Sequence, residues 1–159
     1  MASDHGCEIP EALHYDVERD VWVRFEPGGE ATLGMTDPAQ SRCGRLVSIR
    51  FKKIGRTVAR GQSLATIESA KWVGPFPAVL SGEIVATNET VFRADILAAN
   101  RSPYGAGWLV RLRPSNLEAE RGHLTSGEEA LARYRARIAA LKLTCFRCAE
   151  PSGGPAPPA

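Results

Sequence analysis

Two kinds of residue in this 159-residue chain carry chemistry that their surroundings can direct: an isolated lysine and a small set of cysteines. There are four lysines against sixteen arginines, and Lys71 stands in ATIESAKWVGPFPAVLSGEIVATNE, residues 65–89, between two β-rich runs. The strand-forming run LATIESA precedes it, and Gly74 and Pro75 follow before a second β run. Gly and Pro punctuate turns, so the pattern predicts a hairpin with the Lys71 amine at or near its tip, clear of the protein surface. A lysine presented in this way suits acylation, because a ligase must enclose the side chain without meeting bulk. An ordinary solvated turn residue is the alternative that the residues alone leave open.

The cysteines are Cys7, Cys43, Cys145 and Cys148. Cys145-Phe146-Arg147-Cys148 has metal-ligand spacing, but structural zinc takes four ligands and neither a second pair nor a nearby His accompanies it. The pair follows a helix C-terminus, so it lacks the N-terminal helix field that lowers a thiol pKa. It reads as a bystander in a flexible tail. In a chain of this size and setting the four cysteines predict no disulfide framework. Cys43 reads as a partly buried structural residue.

The elements that must position these groups are mostly strands. VWVRF alternates Val21, Val23 and Phe25 with Trp22 and Arg24. RLVSIRF sets Val47, Ile49 and Phe51 on one face, and GWLVRLR does so with Trp108, Val110 and Leu112. SLATIES and GEIVATN are shorter runs bounded by Gly61, Gly82 and Asn88. Short strands with frequent turns predict a small barrel or sandwich. Asp37-Pro38 predicts an N-cap and a brief helix over 38–43, and 91–99 predicts another. Ser115 with Glu118 and Ser126 with Glu129 read as capping boxes. From the second box, Leu131, Tyr134, Ile138 and Leu141 form an apolar stripe on an amphipathic helix over 127–142. The final EPSGGPAPPA has little to bury and reads as disordered.

Composition sets the outer bounds. With 43% hydrophobic and 24% charged residues the chain is of globular class, and a net charge of +2 argues for neither nucleic acid nor a membrane surface. No apolar run reaches spanning length, and MASDHGCEIPEALHYD has no signal-peptide pattern, so a cytoplasmic location is expected.

The stretch around Lys71 resembles the lipoyl-attachment hairpin of the glycine cleavage system H protein family. Upstream, Gly34, Thr36, Asp37, Ala39 and Gln40 match the family's Gly-x-Thr-Asp-x-Ala-Gln run, and downstream SPYGAGWLVRLRPSN is similar to its Pro-Tyr-Gly-x-Gly-Trp-Leu ending. The resemblance covers roughly residues 20–116, on the scale of one domain. It implies a mainly β fold with short helices, a hammerhead-like, lipoyl-domain-like barrel-sandwich hybrid with a C-terminal amphipathic helix. It divides the chain into a flexible leader at 1–14, a lipoyl-carrier domain at 15–125, a C-terminal helix at 126–143 and a disordered tail at 144–159. It also implies a non-catalytic carrier bearing lipoate as N6-lipoyllysine at Lys71. Glu68 and Ser69 precede the lysine as in the family, the acidic position helping to place the ligase. Gly82 matches the second strand of the attachment hairpin, and Trp72 adjoins the modified lysine. Biotin carriers usually set their lysine between two methionines; here Ala70 and Trp72 flank it.

Some features depart from the family pattern. Trp72 to Phe76 replace small and polar residues, Val79 stands where proline is common, Asp20 occupies a frequent histidine place, and the C-terminus is extended. The ESAKWVGP stretch is similar to a lipoate-binding branch associated with heterodisulfide-reductase-like sulfur oxidation. That likeness implies an arm shuttling sulfur intermediates to such a complex. A secondary reading of Cys145 and Cys148 is exchange with the lipoyl disulfide or the holding of a persulfide. The alternative is a glycine cleavage carrier of the aminomethyl group, served by glycine decarboxylase, aminomethyltransferase and dihydrolipoyl dehydrogenase. A second alternative is an unmodified interaction module. Either carrier requires a lipoate ligase or lipoyl synthesis enzymes.

Overall fold

The structure, a computed structural model, describes residues 2–149. Strands β1 (Ala2–Asp4), β2 (Cys7–Ile9), β3 (His14–Asp16), β4 (Val21–Phe25) and β5 (Ala31–Met35) lead into helix α1 (Asp37–Cys43). Next come β6 (Leu46–Phe51), β7 (Thr57–Val58), β8 (Ser63–Ser69), β9 (Val73–Pro77) and β10 (Gly82–Thr87). Helices α2 (Glu89–Ala94) and α3 (Ala98–Arg101) precede β11 (Val110–Pro114). The short α4 (Leu117–Glu120), a 3-10 turn, β12 (Thr125–Ser126) and α5 (Gly127–Leu141) follow.

A seven-stranded sheet, ordered β12-β3-β4-β5-β11-β10-β7, packs against a three-stranded sheet, β6-β8-β9. This is the expected mainly β sandwich of lipoyl-domain type, with short helices and a C-terminal helix. Strand alternation explains how the larger sheet serves two cores. On β4, Val21 and Val23 join the inter-sheet core while Trp22 points the other way, into a second cluster. That second cluster lies under α5, which contributes Ala130, Tyr134 and Ile138. Of the expected stripe, Leu131 only packs at the edge and Leu141 is exposed. The buried indole of Trp22 donates to Pro103 O at 2.9 Å, so its polar atom is satisfied.

Several helix ends differ from the sequence reading. The cap of α1 is Thr36, whose Oγ1 accepts Ala39 N at 3.1 Å. Asp37 is therefore free for other partners. The single helix expected over 91–99 is broken, because Asp95 adopts an extended backbone and its carboxylate accepts Leu97 N at 3.1 Å. Neither proposed capping box forms a side-chain cap: Asn116, not Ser115, holds the N-cap position of α4, and Ser126, at the N-cap position of α5, pairs as a strand residue opposite His14.

Both chain extensions depart from expectation. Residues 2–9, read as a flexible leader, make a β1–β2 hairpin, with Cys7 and Ile9 buried. Residues 144–149, read as part of the disordered tail, cross α1, and Cys145 is bonded to Cys7. This bond overturns the expectation of no disulfide, which rests on chain size and setting; its partners lie 138 residues apart and meet only where the two extensions pack together. Closing so long a loop contributes about 5 kcal/mol on the chain-entropy model. The expectation for 150–159 lies outside the described residues.

Gly34 faces Trp22 across the β4–β5 ladder, where an added Cβ would lie 2.5 Å from the indole carbons. Gly34→Ala is expected to cost about 1–3 kcal/mol by overpacking, read as a lower urea midpoint with an unchanged m-value.

Candidate functional site

The lysine lies where its neighbours require. On β8, Ala65, Ile67 and Ser69 face inward while Thr66 and Glu68 face solvent, so the strand reaches its end with a polar inward residue. Ser69 N donates to Trp72 O at 2.8 Å, closing the loop over Ala70 and Lys71. Three further contacts tie the loop to the end of α1. The Ser69 hydroxyl donates to Cys43 O at 2.7 Å, Lys71 N donates to the same carbonyl at 3.3 Å, and Ala70 N donates to Arg45 O at 2.9 Å. Every tether is made by backbone or by Ser69. The Lys71 side chain is exposed, and among the described residues no carboxylate comes within 4.0 Å of its amine.

The other sequence candidates divide. Glu68 is exposed on β8 and accepts a hydrogen bond from Ser48 Oγ at 3.1 Å, one strand over. Trp72 is 41% exposed, with its indole folded back onto Gly74, where a Cβ would stand 2.2 Å from Cζ2. Gly82 is not brought to the site. It begins β10 in the other sheet, where a Cβ would meet Arg113 O at 2.3 Å. Its tight backbone approach is real, but it serves the β10–β11 ladder and not the β8–β9 attachment hairpin.

Beside Lys71 opens a cavity of about 390 Å³, a volume typical of small-molecule sites. Met35, Ile67, Trp72 and Phe76 supply apolar wall, and Asp20, Arg42, Cys43 and Arg137 supply polar wall. Asp20, which the sequence marks only as a departure from the family pattern, is the hub. It is buried, its φ is +56°, and its carboxylate accepts Arg137 Nε and Nη2, both at 3.2 Å, and Arg42 Nη1 at 3.1 Å. Tyr134 donates to it at 3.4 Å, and burial together with that carboxylate pushes the Tyr134 phenol well up. Arg137 lies three residues after Tyr134 on α5, so helical spacing was the available signal. Cys43 is buried as expected, and burial pushes its thiol up against the opposing Ser69 hydrogen bond and Lys71 and Arg42 charges.

A sandwich that displays an exposed lysine at a hairpin tip beside a cavity with both apolar and polar wall defines a carrier domain for a covalently attached small group. Residues 13–136 match the family model described as glycine cleavage H-protein. Glycine cleavage system H protein 2 of Aquifex aeolicus is 41% identical over 141 residues, covering 88% of this chain and 86% of that one. A probable glycine cleavage system H protein 2 of Sulfolobus acidocaldarius is 44% identical over 149 residues, covering 92% and 99%. The crystal structure of a glycine cleavage system H protein from Mycobacterium marinum aligns with TM-score 0.69 and 31% identity over 80% of this chain and 99% of that one. The chain belongs to the glycine cleavage H-protein family, and it is a non-catalytic carrier whose prosthetic group is lipoate held covalently on a lysine.

These matches overturn the sulfur-oxidation reading and, with it, a heterodisulfide-reductase-like complex as partner. The family model and the relatives are those of glycine cleavage. Trp72, whose exposure prompted that reading, packs against Gly74 of its own hairpin and stays 41% exposed. Among the described residues no helix is long and apolar enough to cross a membrane.

Two substitutions test the architecture of the site. Ser69→Ala is expected to cost about 1 kcal/mol and to speed amide exchange at residues 70–72 more than elsewhere. Asn tolerates left-handed backbone, so Asp20→Asn removes charge without straining φ. A loss of about 2 kcal/mol and faster exchange in α5 are expected, measured by urea unfolding and hydrogen exchange.

Proposed function

We propose that this chain is the H-protein component of a glycine cleavage system, with lipoate amide-linked to Lys71. The observation that carries the assignment is the exposed Lys71 amine at a hairpin tip tethered by backbone hydrogen bonds. No restraint on the loop has to be broken for the amine to react. The bound group supplies a dithiol that accepts and releases the aminomethyl unit. This chain's residues present it: Ala70 and Lys71 form the tip, and the cavity wall of Met35, Ile67, Trp72 and Phe76 offers apolar cover against water.

The donor set suits such a group. Lys71 shares the cavity rim with Arg42 and Arg137, and forming an amide removes its positive charge from that company. Glu68 stays exposed on the outward face of β8, where a lipoate ligase approaching the tip would meet it. The partners then follow from the family: glycine decarboxylase, aminomethyltransferase and dihydrolipoyl dehydrogenase, each meeting the same protruding tip in turn.

Intact-mass measurement after production with an active lipoate ligase tests the attachment. One lipoyl adduct is expected on the wild type and none on Lys71→Arg, while Glu68→Gln slows modification without abolishing it. An adduct that persists in Lys71→Arg would refute the assignment. Purified glycine decarboxylase then tests the cargo: the lipoylated protein is expected to accept the aminomethyl group, and refusal would argue against the glycine cleavage role.

A further inference from the structure

The family-matched segment, 13–136, contains neither Cys7 nor the Cys145–Cys148 pair. The fold nevertheless brings both extensions together. Cys7 and Cys145 are disulfide-bonded with Cα atoms 4.7 Å apart, and both residues are buried, at 0% and 6% exposure. The β1–β2 turn is shaped around this junction. Gly6 holds φ at +80°, a Cβ there would stand 2.7 Å from Cys145 O, and His5 O accepts Cys145 N at 3.0 Å. Beyond the bond the strap stays anchored: Phe146 O accepts from Gln40 Nε2 at 2.7 Å, and Arg147 pairs with Glu8 and Asp37. Cys148, three residues after Cys145, is a free and half-buried thiol.

A buried disulfide is poorly open to direct attack by an outside thiol, because exchange requires an in-line approach to a sulfur atom. Cys148 is tethered on the same strap, so its attack becomes intramolecular once its amide leaves Asn100 O. We propose that Cys7, Cys145 and Cys148 form a thiol–disulfide exchange site in which Cys148 is the internal nucleophile that opens the Cys7–Cys145 bond to a thiol reductant. In the first step the Cys148 thiolate attacks Cys145 Sγ. The Cys145–Cys148 bond forms, the Cys7–Cys145 bond breaks, and Cys7 leaves as a thiolate that takes up the proton Cys148 released. No electrons are exchanged with the surroundings. In the second step two molecules of a monothiol such as glutathione reduce the Cys145–Cys148 bond and leave as their own disulfide.

Geometry links the exchange to release of the strap. A Cys145–Cys148 bond draws the two Cα atoms to about 4.4–6.8 Å, whereas the two backbone amides are now tied to different partners, His5 O and Asn100 O. The exchanged form frees the N-terminal hairpin from its covalent tie to the segment that crosses α1. The site is independent of the state of Lys71.

Full-length protein, purified without reductant, is incubated in glutathione buffers of graded ratio, quenched with acid, alkylated and mapped by peptide mass. In the wild type the Cys7–Cys145 peptide is expected first, then a Cys145–Cys148 peptide with Cys7 alkylated, then free thiols. Cys148→Ser is expected to lose the Cys145–Cys148 species and to open the Cys7–Cys145 bond at least about tenfold more slowly, as loss of an intramolecular nucleophile requires. Alkylating Cys148 in the native wild-type protein gives the same block without any substitution, so a folding defect in the serine variant does not decide the result. Equal opening rates with and without a Cys148 thiol would overturn the proposal. So would the absence of the Cys145–Cys148 species at every ratio, or of the Cys7–Cys145 bond in the starting protein.

Discussion

A loop that displays a reactive amine has to be held by something other than that amine, and here the hold is the carbonyl of Cys43. It receives the Lys71 amide and the Ser69 hydroxyl together, at the point where α1 ends. The helix must therefore stop there, and Gly44, at φ +78°, turns the chain away. The stem of Lys71 passes close to that glycine, with Cε 3.6 Å from where a Cβ would be, an ordinary contact, so it is the left-handed backbone that requires glycine here. If the carbonyl moved, the tip would lose its main anchor while the strands behind it stayed paired. Presentation and rigidity are thus separated between side chain and backbone.

The helix that offers this carbonyl is itself fixed from both ends. Asp37, released from capping by Thr36, accepts Glu8 N at 2.9 Å and Gln40 Nε2 at 2.8 Å. Asn100 supports the other end, donating to Gly44 O at 2.9 Å and accepting Leu46 N at 2.9 Å. Asp20 joins α1 to α5 through Arg42 and Arg137, and these three side chains also line the cavity beside Lys71. Such a carboxylate is tolerated in a buried place because two guanidinium groups and a phenol satisfy it. The C-terminal helix consequently does more than cover Trp22 and Tyr15: it supplies one wall of the site.

The local pattern made much of this readable. Alternation in VWVRF and SLATIES, the Gly-Pro break after Lys71, and the 3.6-residue recurrence of Tyr134 and Ile138 each report a face that one element must bury. Local chemistry also misled where two residues competed for one role. Thr36 took the cap that Asp37 suggested, and Asp95 broke a helix whose apolar spacing looked continuous. The family resemblance places Gly82 in the second strand of the lysine's hairpin. Residues 78–81 instead carry the chain into the other sheet, so nearness along the chain did not become nearness in space.

The sequence by itself determined that a lysine would stand at a β-turn in a mainly β domain, since turn residues and strand periodicity act over a few neighbours. Only the tertiary structure decided which groups surround it. The Cys43 carbonyl, the Asp20–Arg137 pair and the Cys7–Cys145 bond join residues separated by roughly 26, 117 and 138 positions. Contacts of that kind leave no periodic trace in the chain, because they arise where two sheets and a helix meet and not from any preference of the segments themselves.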